Sequence, residues 1–268
     1  MPLLVSEAIV LHTFDYLESS RIVRLVTRDG GMRSAIAKGA RKSRRRFGSG
    51  LDLFAQGSAT LHTKPGRDLD TLSAFEDARN RSDLAADMER FIGAETIADI
   101  TLRFGRDGAD AELFDAVADS LDALLGASDD DAREATLAGA WHVIAALGFG
   151  PAMETCAECG RAIADDVPAT FTHSAGGVLC PRCASLTAGG RALPATARRA
   201  IASWLAGGRA RLESPPERRA HQRLLREFLS HHLHDSRPLR AFDLWERRWS
   251  AEGAVRESPE TAGDPLPA

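Results

Sequence analysis

The chain has 268 residues, of which 44% are hydrophobic and 27% charged, with a formal net charge of −4 at pH 7. That is enough apolar material for a real core divided between two or three modules, which excludes a chain disordered for most of its length. No run of about 18 uncharged apolar residues occurs, and Met1 to Leu11 lacks the charged start and cleavage pattern of a secretory signal, so a cytosolic protein is expected rather than a membrane or exported one.

The charge is unevenly spread. Residues 1–81 carry 14 Lys/Arg against 9 Asp/Glu, residues 82–155 carry 4 against 16, residues 156–250 carry 15 against 9, and the last 18 carry 1 against 4. Two basic segments flank an acidic one, a polarity that suits a protein holding a polyanion on one face and presenting another to protein partners. The pI of about 6.1 conceals it.

Five short apolar, β-branched runs come first: Ala8 to Leu11, Ile22 to Val26, Ala35 to Ala37, Leu51 to Leu61, and Leu69 to Phe75. They are punctuated by Asp15-Tyr16-Leu17-Glu18, by Asp29-Gly30-Gly31, by a basic run, and by Pro65-Gly66-Arg67, the pattern of five strands closing a small OB-type barrel. The Asp-Gly-Gly turn is the strongest hairpin signal, since glycine accepts positive φ. The basic run falls between the third and fourth strands. Lys38, Arg41, Lys42, Arg44, Arg45 and Arg46 stand there with no carboxylate between Asp29 and Asp52, so their field is not cancelled locally. A cationic loop beside a barrel face is placed to track phosphates, although such a run also serves solubility or localisation. Phe47 and Phe54 are read as packing aromatics before stacking ones.

From Ser82, an expected N-cap, Leu84, Met88, Phe91, Ile92, Ile97 and Ile100 recur at helical spacing. A second helix is expected from about Ala109 to Leu125. A third follows Asp129-Asp130-Asp131 and stops at Gly148-Phe149-Gly150-Pro151. The acidic runs read as solvated helix faces, and nothing in them isolates a catalytic acid–base pair.

The only four cysteines form two C-x₂-C pairs, Cys156/Cys159 and Cys180/Cys183. Two thiolate pairs on separate turns complete a tetrahedral site, with Gly160 permitting the turn that lets the sulfurs converge. Disulfides are disfavoured in a cytosolic chain, and a redox role for one pair leaves the other unexplained. Four thiolates fill the coordination sphere, so the expected Zn²⁺ is structural. Two further helices are expected, Pro194 to Leu205 and Pro216 to Leu233. The second carries arginines opposite its apolar stripe, and Arg198, Arg199, Arg218 and Arg219 are the residues to test for nucleic acid crossing this region. His231, His232 and His234 suit a helix C-terminus better than a metal site. The four tryptophans read as core, and 251–268 as a disordered tail.

Taken together, Glu7 to Leu11, Glu18-Ser19, Thr27 to Gly31, Ala37-Lys38-Gly39-Ala40-Arg41 with Ser43 and Phe47, Leu147 to Pro151, and the two cysteine pairs resemble the bacterial recombination mediator family RecO. The resemblance covers residues 1 to about 185 well and the remainder by pattern. It implies an α+β protein: an N-terminal OB-fold at 1–81, a helical domain at 82–155 and 186–250, and a zinc knuckle inserted at 156–185. It further implies a non-enzymatic protein that binds single- and double-stranded DNA, anneals complementary strands, and works with RecR and single-stranded-DNA-binding protein to load recombinase, in the cytoplasm at the nucleoid. Lys38, Arg41, Lys42, Arg44, Arg45 and Arg46 then become DNA contacts, and the four cysteines zinc ligands. The three consecutive arginines exceed the usual family pattern, and Arg237 to Arg248 matches the family's end poorly. Two alternatives stand beside this one. An OB-fold RNA-binding protein with structural zinc shares most of these features, whereas a zinc enzyme of the deaminase type requires a His-x-Glu ahead of the cysteines that is missing.

Overall fold

The first element is long because its first half pairs with one strand and its second half with another. In the computed structural model, which describes residues 2–42, 44–47, 51–63, 66, 68–128, 131–232 and 239–247 and only the backbone of Arg44, Arg45 and Asp77, β1 runs Leu3–Tyr16. It pairs antiparallel with β2 (Ser20–Thr27) and with β4 (Gln56–His62). β2 pairs with β3 (Gly31–Ala37), β3 runs parallel to β5 (Asp70–Arg79), and β5 returns to β4, closing a barrel in the order β1-β2-β3-β5-β4. This is OB-fold topology. Ala8, Val10, Val23, Leu25, Ala35, Leu61, Leu72 and Phe75 fill the interior. Ile9, Leu11 and Val26 point outward yet are buried against the helices, which is why the apolar run of β1 does not alternate.

Two strand boundaries differ from expectation. β1 continues past Leu11 through a bulge between Val10 and His12, so Asp15 and Tyr16 are strand residues and the turn is confined to 17–19. β4 starts only at Gln56: Leu51 and Phe54 lie in the preceding loop with φ of 62° and 64°, held there by burial of both side chains. In the same connection, α1 (Arg44–Phe47) forms a single turn.

Beyond the barrel, a 3-10 turn (Ser82–Ala86) precedes α2 (Met88–Phe104), α3 (Ala111–Leu125) and α4 (Ala132–Ala146). Ser82 is therefore not the helix cap. Its own amide donates to Asn80 Oδ1, and Asp87, in extended conformation, caps α2 by accepting from the Arg90 amide at 2.9 Å. α4 ends as the sequence indicates, with the amides of Gly148 and Phe149 closing onto the carbonyls of Ala145 and Ile144. Strands β6 (Ala169–Thr172), β7 (Gly177–Leu179) and β8 (Arg191–Leu193) form a small sheet in the order β7-β6-β8, with α5 (Pro181–Ala184) after β7. The sequence reading did not anticipate this sheet, whose strands are too short to show a period. α6 (Ala195–Leu205), α7 (Pro215–His232) and a helix at 240–247, α8, complete the body. Trp141, Trp204 and Trp245 are buried as expected, while Trp249, His234 and the tail lie outside the described residues. Among the described residues no helix is long and apolar enough to cross a membrane.

Barrel and helices are joined through backbone as well as side chains. Met32 donates to Arg106 O (2.9 Å), Gly108 to Gly30 O (3.1 Å) and Asp110 to Arg28 O (3.2 Å). The Arg28 guanidinium spans Asp115 and Glu7 and lies over the Phe114 ring; chiefly its bond to Asp115 raises its pKa further. Arg81, fully buried, donates to Phe54 O, Gln56 Oε1 and Asp122 Oδ1 at 2.7 to 3.1 Å.

Candidate nucleic-acid interface and metal centre

The basic loop is anchored by its apolar members. Ala40 and Phe47 are buried in the barrel interior cluster, so the residues between them are drawn across one barrel end. The Arg41 amide donates to Ser19 O (3.1 Å) and its guanidinium approaches Asp15 at 3.6 Å, which seats the loop against the tip of the β1–β2 hairpin. Arg46 folds back to donate to Lys38 O at 3.0 Å, closing the loop on itself. Lys38, Arg41, Lys42 and Arg46 are exposed, on one side of the barrel. The side chains of Arg44 and Arg45 lie outside the described residues, although their backbone belongs to the same turn. Phe47 and Phe54 are buried and unable to stack on a ligand. The exposed rings of the barrel are elsewhere, on β1: Phe14 is 44% exposed and Tyr16 42%.

The four cysteine sulfurs lie within 4.8 Å of one another and are free thiols. A tetrahedron of thiolates about 2.3 Å from Zn²⁺ has edges of roughly 3.8 Å, so the cluster fits such an ion with little adjustment. The first turn is closed by Gly160, at φ 70°, whose amide donates to Cys156 O. The second is the start of α5, where Pro181 follows Cys180 at the N-cap position. The two are stitched by Ala157 N–H to Val178 O (2.8 Å) and Val178 N–H to Ala152 O (2.9 Å). Amide hydrogen bonds, that of Cys180 foremost, pull the Cys156 thiol down to about 6, whereas burial and then the neighbouring sulfurs push Cys183 up to about 12. The cluster could hold a metal ion, which four deprotonated sulfurs this close would need among them. Among the described residues no second cluster of metal-ligating side chains forms, His231 and His232 included.

Arg198 corrects the sequence reading. It is 1% exposed and cannot meet a nucleic acid. Its guanidinium donates to Met153 O (2.7 Å), Ile163 O (3.3 Å) and Ala164 O, gripping both flanks of the first cysteine turn from α6. No spacing in the sequence distinguishes it from exposed Arg199 next to it. Arg218 and Arg219 are partly buried on α7, Arg218 donating to Leu212 O at 3.4 Å.

Fold and site together define a class: an OB-barrel protein with a cationic β3–β4 loop, built onto a helical body that carries a four-cysteine cluster able to hold a metal ion. Residues 1–81 match the family model described as recombination protein O N terminal, and residues 85–241 that described as recombination protein O C terminal. The chain is 34% identical over 232 residues to the DNA repair protein RecO of Anaeromyxobacter sp. (strain Fw109-5), covering 84% of this chain and 89% of that one. It is 36% identical over 231 residues, with the same coverage, to the protein of that name from Anaeromyxobacter sp. (strain K), and 35% identical over 178 residues to that of Rhodopirellula baltica, covering 66% of this chain and 65% of the relative. The chain belongs to the recombination protein O family.

Proposed function

We propose that this protein acts in DNA repair as a non-catalytic, DNA-binding recombination mediator. Its work is to anneal complementary strands and, with RecR, to help load recombinase onto DNA coated by single-stranded-DNA-binding protein, in the cytoplasm at the nucleoid. The observation that carries this reading is the seating of the basic loop: its exposed cations are held together at the mouth of a closed OB barrel, beside the hairpin tip, in a chain of this family. Cations there displace counterions from DNA and lower the repulsion between two strands while their bases pair. Lys38, Arg41, Lys42, Arg44, Arg45 and Arg46 are the proposed contacts. Of the helical arginines, exposed Arg199 together with Arg218 and Arg219 remain candidates for a second contact; Arg198 does not.

In the proposed division of labour, residues 1–81 hold DNA, 82–155 and 186–250 form the helical body, and Cys156, Cys159, Cys180 and Cys183 of the 156–185 knuckle hold structural Zn²⁺. Four thiolates leave no position for a reacting water, so the ion supplies cohesion to the knuckle.

The test is annealing of complementary strands precoated with single-stranded-DNA-binding protein, comparing the intact chain with R44A/R45A/R46A at about 50 and 200 mM salt. The intact chain is expected to accelerate annealing, with DNA affinity falling steeply over that range, and the folded variant to lose most of both. Binding indifferent to salt and to the three arginines would end the proposal.

A further inference from the structure

The four cysteines are not equally placed. Cys156 is 1% exposed and Cys180 4%, Cys183 is partly buried, and Cys159 alone among them is exposed. Its neighbours Glu158, Gly160 and Arg161 are exposed as well, and a Cβ on Gly160 would meet nothing within 4 Å, so this turn stands open to small solutes. On its inner side the Cys159 sulfur lies 3.9 Å from that of Cys180, a contact that joins one member of each C-x₂-C pair. Both turns are also fixed by bonds that involve no sulfur. Cys156 N–H to Arg161 O and Ile163 N–H to Glu154 O, both 2.8 Å, make the first turn a short hairpin with Thr155 paired to Ala162. The second follows directly from β7, whose pairing with β6 ends at Leu179. The knuckle is docked on α7 through Arg191, which donates to Glu227 at 2.7 Å, and through the Phe171 and Phe228 rings.

We propose that Cys159 and Cys180 are a peroxide-sensitive modification site, in which oxidation joins them as a disulfide across the knuckle and so gives up the metal. Cys159 reacts first because a peroxide reaches it without displacing any packed side chain. Its thiolate attacks one oxygen of hydrogen peroxide: an S–O bond forms, the O–O bond breaks, and the departing hydroxide takes a proton from solvent to become water, leaving a sulfenic acid at residue 159. The Cys180 thiolate then attacks that sulfur. An S–S bond forms, the S–O bond breaks, and a second hydroxide leaves and is protonated to water. The two sulfurs lose two electrons in all, and the peroxide accepts them. Contracting the 3.9 Å contact to a bond of about 2.05 Å asks for movement of the exposed turn and not of the buried one. With Cys156 and Cys183 left as thiolates, half of a four-thiolate set, the cluster no longer holds a zinc ion. The hairpin, the sheet and the contacts to α7 contain neither sulfur, so the oxidised knuckle keeps its place and the change is reversible by a thiol reductant. This rests on the structural-zinc reading above and adds a reversible modification to the same cluster.

The experiment treats the zinc-loaded intact chain with hydrogen peroxide and follows zinc release to a chromogenic chelator, free thiols, and disulfides by peptide mapping. Zinc release is expected to keep step with the loss of a pair of thiols, with a Cys159–Cys180 disulfide as the first product. Dithiothreitol and added zinc are expected to restore the thiols and the metal. Cys159→His, which keeps a nitrogen ligand for the ion and removes the exposed sulfur, is expected to release zinc about ten-fold or more slowly. Cys180→His is expected to accumulate a sulfenic acid at residue 159, trapped by dimedone. Where either variant fails to fold or to hold zinc, by melting curve and metal content, mapping of the intact chain decides. The proposal is overturned by a first disulfide within either C-x₂-C pair, by dimedone capture at another cysteine of the intact chain, by oxidation that dithiothreitol does not reverse, or by zinc release that is as fast in folded, zinc-loaded Cys159→His. An intact chain that takes up no zinc removes the structural-zinc reading, whereas the pairing of Cys159 with Cys180 is still decided by thiol count and mapping.

Discussion

His221 of α7 shows how burial alone sets a titration. It is 3% exposed, its ring lies edge-on 5.0 Å from Trp204, and burial pushes its pKa down to about 4, opposed only weakly by the Glu217 carboxylate. The unfolded chain takes up this proton near 6.5 and the folded chain does not, so the stability present above about 6.5 is lost as pH falls towards 4, by about 3 kcal/mol in full. Glu95 of α2 acts in the opposite sense. Burial first, then Asp99, push it up to about 7, so its neutral form favours the fold at low pH and that contribution is lost as pH rises from about 4.5 to 7. The two slopes oppose one another between pH 5 and 6.5. His221→Leu is therefore expected to gain several degrees of melting temperature relative to the intact chain at pH 5 compared with pH 7.5; an equal difference at both pH values would refute this assignment.

At the scale of elements, the knuckle depends on a residue outside its own motif. The cysteine spacing announces a candidate metal site, but the loop from Met153 to Ala164 is held by Arg198, which donates to the carbonyls of Met153, Ile163 and Ala164, the last of which also accepts from the Val167 amide. Arg198→Leu is expected to cost about 3 kcal/mol and to speed transfer of zinc to a competing chelator several-fold, because metal binding and folding of such a knuckle are one equilibrium. Arg199→Leu, which removes only one exposed bond to Asp165 O (3.3 Å), is the comparison expected to change both far less. Removing the metal from the intact chain is expected to lower its melting temperature while far-UV dichroism keeps the helical signal, since Phe171 of β6 still packs against Phe228 of α7 at 6.5 Å between ring centroids.

Across the whole molecule, the decisive contact is the approach of the β2–β3 turn to the segment between α2 and α3. Gly31 sits at φ 66°, and a Cβ there would come within 2.2 Å of Gly108 O and 2.5 Å of Arg106 O. Gly66 has a similar φ of 76° with nothing within 4 Å. Gly66→Ala thus reports the left-handed backbone cost alone, about 1 kcal/mol, while Gly31→Ala adds a backbone clash and is expected to cost about 3 kcal/mol or more in urea unfolding. Equal losses at the two positions would show that barrel and helices do not meet as described. The consequence for function is orientation: the helices occupy one side of β1 and β2, so the cationic loop and the exposed rings share what remains.

The amino-acid sequence alone determined the barrel, most of the helices, the position of the basic loop and the four-cysteine cluster, because each depends on local signals: apolar periodicity, a glycine turn, charge density and ligand spacing. Ser82 misled because capping is a competition, and Asp87 offers the stronger acceptor five residues later. Tertiary structure decided which side chains those elements expose. Asp15 to Glu18 has the composition of a turn, yet pairing with Arg21 and Ser20 extends the strand through Tyr16 and turns its rings to solvent. Two adjacent arginines, 198 and 199, are alike in sequence and different in burial because α6 buries one against three carbonyls and leaves the other exposed with a single bond to Asp165 O. Burial of a residue is a property of what packs over it, and the segments that pack here are far apart along the chain.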